Sequence, residues 1–238
     1  MKLQFLERAL AASRDGRPAV LATSLANGSQ TFIEATETAG DLTLDGAALA
    51  AIRKAVTDDR STVIETADGP VFIEVFNPRL RCVIVGAVHI AQPLARMASL
   101  TGYLVTVVDP RTAFASDARF PDVSLSTDWP DEALEKLRPN RRTAIVTLTH
   151  DPKLDDPALI TALRSDAFYI GALGSKKTHA ARCKRLAATG IGEAELARVH
   201  GPVGLDIGAI SPAEIAISVM AQMTQVLRAE PPGDREAA

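Results

Sequence analysis

VIVGAVHIAQPLARMASLTGYLVTVVDPR, residues 83–111, is the stretch that decides the fold. Its first apolar run closes at Gly86, a helical period follows, and a second β-branched run closes at Asp109. The pattern is a strand–helix–strand unit, and apolar runs this continuous suit parallel strands buried on both faces. Gly86 with a helix opening directly after it aims backbone amides at an anion, and Asp109 falls where a ribose hydroxyl would lie in a dinucleotide fold. Val88 stands at the second glycine of that fingerprint, and its β-branched side chain obstructs a pyrophosphate, so NAD(P) is the weaker cofactor expectation. His89, at the helix start, either faces a ligand or packs the turn. Asp109 likewise has the alternative of capping its loop or bridging Arg111.

The same alternation extends downstream. Strands are expected at Cys82–Val85, Leu104–Val108, Val123–Ser126, Thr143–Thr147 and Phe168–Leu173. Ser211-Pro212-Ala213-Glu214 opens a last helix with a capping box and a proline in its first turn, and apolar positions carry it to about Arg228. Upstream the character differs. A helix over residues 3–13 stops at Gly16, and short β segments are expected at Pro18–Ala26, Thr31–Thr36 and Leu42–Leu44. A helix from Ala47 to Val56 precedes a hairpin in which Ser61–Thr66 and Val71–Val75 flank Ala67-Asp68-Gly69-Pro70. The expected fold class is therefore α/β, a Rossmann-like parallel sheet over residues 79–229 with a smaller α+β N-terminal domain over 1–78. Residues 230–238 read as a flexible tail.

A formal net charge of −3 gives the 238-residue chain no general attraction to nucleic acid or an anionic membrane, so neither is an expected partner. Charged residues interrupt each apolar stretch before it reaches a membrane span, and Glu7 and Asp15 break what would be a secretory leader. The two cysteines, Cys82 and Cys183, form neither a disulfide framework nor a zinc spacing. A reducing cytoplasm is the expected location, and no metal site is expected.

Two further constellations end in glycine-bearing loops. In FYIGALGSKKTHAARCKRL, Gly171 and Gly174 permit a tight turn, Ser175 and Thr178 supply hydroxyls, and Lys176 and Lys177 stand at a helix start. Cations there oppose the helix dipole, which points to a bound anion; the alternative is a solvated basic turn. His179 and Cys183 share a helix face, either as a thiol beside a base or by incidental spacing. Thr149-His150-Asp151 follows the fourth strand at the carboxyl end where open α/β sheets bind ligands, although Asp151 and Pro152 also suit a simple turn into a helix. Gly204, Asp206 and Gly208 form another loop before a helix, with Asp206 reaching a ligand or bracing the loop. No catalytic acid, base or nucleophile set is expected.

Taken in order, VIVGAVHIAQPLARMASLTGYLVTVVDPR, RFPD, TLTHDPKLDDPAL, YIGALGSKKTHAARCKRL and GPVGLDIGAISPAEIAISVMAQM resemble the XdhC/CoxI family of molybdoenzyme maturation factors. The resemblance implies a Rossmann-like C-terminal domain. It also implies a chaperone that binds the molybdenum cofactor (molybdopterin) as cargo, protects it during sulfuration by a cysteine desulfurase, and delivers it to an apo-molybdoenzyme of the xanthine or CO dehydrogenase type. Gly86, His89, Asp109, Gly174, Ser175, Lys176, Thr178, Asp206 and Gly208 fall in the family's motif blocks; His150 and Lys177 join them as candidate cofactor-binding residues. A homodimer is compatible with this reading. The chain departs from the family's usual Gly-Ala-Gly-His at Val88 and carries Lys176-Lys177 where paired arginines are common. It also lacks the family's N-terminal Gly-Ser-x-Pro-Arg and Gly-Gly-x-x-Glu segments, with Gly28-Ser29 the nearest match.

Overall fold

The computed structural model describes residues 2–34 and 37–229. The expected tail and the last two residues of the Thr31–Thr36 segment lie outside these. The chain divides into two compact units, Met1–Pro78 and the remainder from Arg79.

The first unit contains α1 (Leu3–Arg14), β1 (Ala19–Ser24), β2 (Gln30–Glu34), β3 (Glu37–Gly40), α2 (Gly46–Asp58), β4 (Thr62–Thr66) and β5 (Gly69–Phe76). The strands form an antiparallel sheet in the order β3-β2-β1-β5-β4. Alternate residues of β1 serve opposite cores. Ala19 and Leu21 pack with Phe5, Ala9 and Ala12 of α1, while Val20 and Ala22 pack with Ile52 and Ala55 of α2. A helix on each face explains why PAVLATSLA lacks polar alternation. The hairpin forms as expected, with Thr66 opposite Gly69.

The Leu42–Leu44 strand does not form; the third strand is Glu37–Gly40 instead. Side chains take the backbone groups that a ladder would need. Thr31 Oγ1 donates to Leu42 O at 2.7 Å and accepts from Leu42 N at 3.0 Å, while Asp41 Oδ1 accepts from Gln30 N at 2.7 Å. Leu42 and Leu44 pack against the α2 core without a strand, and Asp45 caps α2 by accepting from Ala48 N.

The second unit contains β6 (Arg81–Val85), α3 (Ala91–Leu100), β7 (Leu104–Val108), β8 (Ser124–Ser126), α4 (Pro130–Leu137), β9 (Thr143–Thr147), α5 (Pro152–Leu163) and β10 (Tyr169–Ala172). It continues with α6 (Lys176–Ala187), α7 (Glu193–Leu196), β11 (Val199–His200) and α8 (Pro212–Leu227). All its strand pairs are parallel, in the order β11-β10-β9-β6-β7-β8. Numbered from β6, this is the 3-2-1-4-5-6 order of the Rossmann fold. Cys82, Ile84, Val107 and Val146 face a core with α3 and α8; Val83, Val85, Ile145 and Ile170 face one with α4 and α5. The β11 strand was not expected, because two residues are too few to show a period.

Among the described residues no helix is long and apolar enough to cross a membrane, and no group of three or more His, Cys, Asp or Glu is placed to hold a metal.

Candidate functional site

Parallel strands place the loops after β6, β7, β9, β10 and β11 at one edge of the sheet, their carboxyl ends, and every candidate residue lies in or next to one of these loops.

After β6 the helix does not open directly. Ala87–Ile90 form a turn before α3 begins at Ala91. Gly86 has φ 106°, and a Cβ there would lie 2.6 Å from Thr149 Cγ2, so only glycine lets the β6 and β9 loops approach. His89 is exposed on the turn. Val88 is half-buried against the α3/α8 core, so its side chain is engaged by packing.

Asp109 does not offer its carboxylate to a ribose. The side chain is fully buried and accepts four hydrogen bonds: Ala87 N at 2.8 Å, Arg111 N at 3.0 Å, Arg111 Nε at 2.8 Å and Arg111 Nη2 at 2.7 Å. Burial pushes its pKa up, but the Arg111 and Ala87 bonds outweigh that and hold it below the usual carboxylate value. The Arg111 alternative is the one realised. Ala87 N, the first amide after Gly86, is thereby committed to Asp109. Arg111 lies over the Phe114 ring at 4.7 Å.

The β9 loop places His150 at φ 61°, exposed, between Thr149 and Asp151. Asp151 caps α5 by accepting from Lys153 N at 2.9 Å, so the turn role of Asp151-Pro152 is real. Thr149 Oγ1 donates to buried Asp155 at 2.7 Å.

After β10, Gly174 has φ 144°, and a Cβ would sit 3.1 Å from Thr178 Cβ and Cγ2. Ser175 caps α6, its Oγ accepting from Thr178 N at 3.1 Å and lying 2.9 Å from Thr178 Oγ1. Both hydroxyls are therefore engaged with each other as well as being exposed. Lys176 and Lys177 are exposed and form no salt bridge among the described residues. As first-turn residues their amides have no intrahelical acceptor. Cys183 Sγ lies 3.5 Å from His179 Nε2, with burial, aided by Arg182, pushing His179 below its usual pKa.

The β11 loop is tied to the sheet through Gln222, whose Oε1 accepts from Tyr169 Oη at 2.6 Å and Gly204 N at 2.9 Å. Asp206 and Gly208 are exposed further along the loop, and a Cβ at Gly208 would meet open space.

Sequence reasoning missed the buried partners Asp155 and Arg182. A signal was present. Asp155 falls on the apolar stripe of Ala158, Leu159 and Ala162, and Arg182 lies one turn before buried Leu186.

A Rossmann-fold protein whose glycine-bearing loops gather along one sheet edge is the class these features define. The chain belongs to the XdhC family: the family's model, described as the XdhC Rossmann domain, matches residues 82–223. It is 36% identical over 155 residues to a probable xanthine dehydrogenase component of Bacillus subtilis, covering 65% of this chain and 45% of that one. It is 32% identical over 151 residues to the molybdenum cofactor insertion chaperone PaoD of Escherichia coli, covering 63% and 41%. A crystal structure of a xanthine dehydrogenase from Bacillus halodurans superposes with a TM-score of 0.72 and 28% identity, over 94% of this chain and 67% of that one. The chain spans less than half the length of these two curated relatives.

Proposed function

We propose that the chain is a molybdenum-cofactor maturation factor: it holds the cofactor as cargo at the carboxyl edge of the parallel sheet and shields it while a cysteine desulfurase installs the terminal sulfido ligand. It then passes the cargo to an apoenzyme of the xanthine or CO dehydrogenase type, in the cytoplasm. One observation carries the reading: four of the five family blocks, dispersed through the sequence, present their loops at this one edge. The names of the relatives, an insertion chaperone and a xanthine dehydrogenase component, agree with such a role.

The residues fit an anionic, phosphate-bearing cargo. Lys176 and Lys177 bring to the N-terminus of α6 two cations without an ion pair among the described residues, where amides lacking intrahelical acceptors add to the attraction. His89, His150 and Asp206 are exposed along the same edge and remain available to the rest of the molecule. The nicotinamide alternative is weaker because the one carboxylate at the end of β7 is sealed against Ala87 and Arg111.

Lys176→Glu with Lys177→Glu tests the reading. Each lost charge-assisted contact is worth about 1.5–3 kcal/mol, so titration with the isolated molybdenum cofactor should show affinity reduced at least about a hundredfold. Stability should hold or rise slightly, since two cations leave the positive end of a helix dipole. Unchanged affinity in the double variant would exclude the α6 turn as the phosphate site, and folded wild-type protein that binds no cofactor would exclude the cargo reading.

A further inference from the structure

Asp155 of α5 and Arg182 of α6 are 1% and 2% exposed, yet their nearest charged atoms, Oδ2 and Nη2, are 3.8 Å apart. The pair is poorly completed. Among the described residues, Asp155 Oδ2, Arg182 Nε and Arg182 Nη1 are buried without a hydrogen-bond partner. Desolvating two ions is costly, and an attraction at this separation with orphaned donors does not recover that cost well. Burial moves both groups toward their neutral forms, Asp155 upward and Arg182 downward. A pair of this kind is a poor device for holding two helices together.

Its good bonds go elsewhere. Asp155 Oδ1 accepts from Thr149 Oγ1 at 2.7 Å and from Thr149 N at 3.4 Å, at the start of the loop that carries His150 at φ 61°. Arg182 Nη2 donates to Leu173 O at 2.8 Å, one residue before Gly174 and the α6 cap. Thr149 in turn fills the space beside Gly86, and Ala87 is bonded to Asp109. A continuous chain of contacts therefore joins the loops after β10, β9, β6 and β7, and the buried pair is the link between the first two.

We propose that Asp155 and Arg182 are positioning residues, whose role is to set the β9 and β10 loops in one arrangement so that the His150 loop and the Gly174–Thr178 turn face the same ligand. This rests on the cargo reading above for the identity of the ligand, but not for the ordering of the loops. Neither residue touches the cargo; each acts through a loop backbone or hydroxyl.

The test compares wild type with Asp155→Leu/Arg182→Met, which removes both charges together and so leaves no uncompensated ion. Global stability should change little, because relief of a badly satisfied ionic pair offsets the lost bonds to Thr149 and Leu173 O. Hydrogen exchange of the free protein should accelerate at least tenfold at residues 148–151 and 173–178, with the central strands β6 and β9 unchanged. Affinity for isolated molybdenum cofactor should fall at least tenfold. Asp155→Asn/Arg182→Gln, which stays neutral while keeping an acceptor for Thr149 and an N–H donor on the Leu173 side, should recover most of that loss. A merely structural pair predicts the opposite pattern, with lower stability, faster exchange throughout the sheet and unchanged affinity, and that result would overturn the proposal. Unaltered exchange in both loops would also overturn it. Should wild-type protein bind no cofactor, the cargo reading fails by itself, and the exchange measurement still decides the loop-ordering role.

Discussion

Replacing Asp109 by Asn probes the bond set that closes the β7 edge of the site. The carboxylate is fully buried and accepts from Ala87 N, Arg111 N, Arg111 Nε and Arg111 Nη2. Asparagine has one oxygen, so its amide nitrogen must face donors on the other side, and two of the four bonds disappear whichever way it turns. Bonds to a charged group are worth about 1.5–3 kcal/mol each, giving roughly 3–6 kcal/mol. Arg111 is 39% exposed and can turn its freed guanidinium to water, which trims the expected loss to about 3 kcal/mol. The assay is urea unfolding followed by Trp129 fluorescence. The chain has a single tryptophan, and it lies at the N-cap of α4, so the signal reports on the second unit alone. The pH dependence has a definite sign. The folded pKa of Asp109 lies below its ordinary 3.8, so its contribution is present above that value and is lost as pH falls through the folded one. The gap between wild type and variant should be full at neutral pH and narrow below about pH 4. A neutral-pH gap under about 1 kcal/mol, or one that widens on acidification, would refute the reasoning.

Gly86→Ala forces a Cβ to within 2.6 Å of Thr149 Cγ2 at φ 106°, so backbone strain of about 1–3 kcal/mol adds to overpacking of similar size. The same fluorescence titration should show a loss of at least about 2 kcal/mol, and a near-neutral result would mean the two loops do not need their close approach. Ser211→Ala removes the oxygen that accepts from Glu214 N at 3.3 Å and should cost about 1 kcal/mol. The decisive control is Ser211→Thr, which keeps a capping hydroxyl and should leave the urea midpoint near wild type.

The periodic runs Cys82–Val85, Leu104–Val108 and Thr143–Thr147 were legible because a parallel strand covered on both faces has to be apolar at nearly every position. Alternation of such strands with helical segments then leaves few topologies, so the Rossmann-like sheet, the loops at its carboxyl edge and the family blocks could be read from the chain order alone. Glycine and capping signals worked for the same reason: Gly174, Ser175 and the Ser211–Glu214 box act on neighbours a few residues away. Leu42–Leu44 shows where local pattern stops, since its loss of strand structure depends on the Thr31 hydroxyl eleven positions earlier. Only the tertiary structure decided that Asp109 belongs to Arg111 and Ala87, that Val88 packs inward, and that Asp155 and Arg182 meet in the interior. A sequence states which residues can ionise or hydrogen-bond. Which of them are spent on one another depends on distances across elements that the fold alone brings together, and burial then raises the stakes of each pairing, favouring a fully bonded group such as Asp109 and penalising an incompletely bonded one such as Asp155.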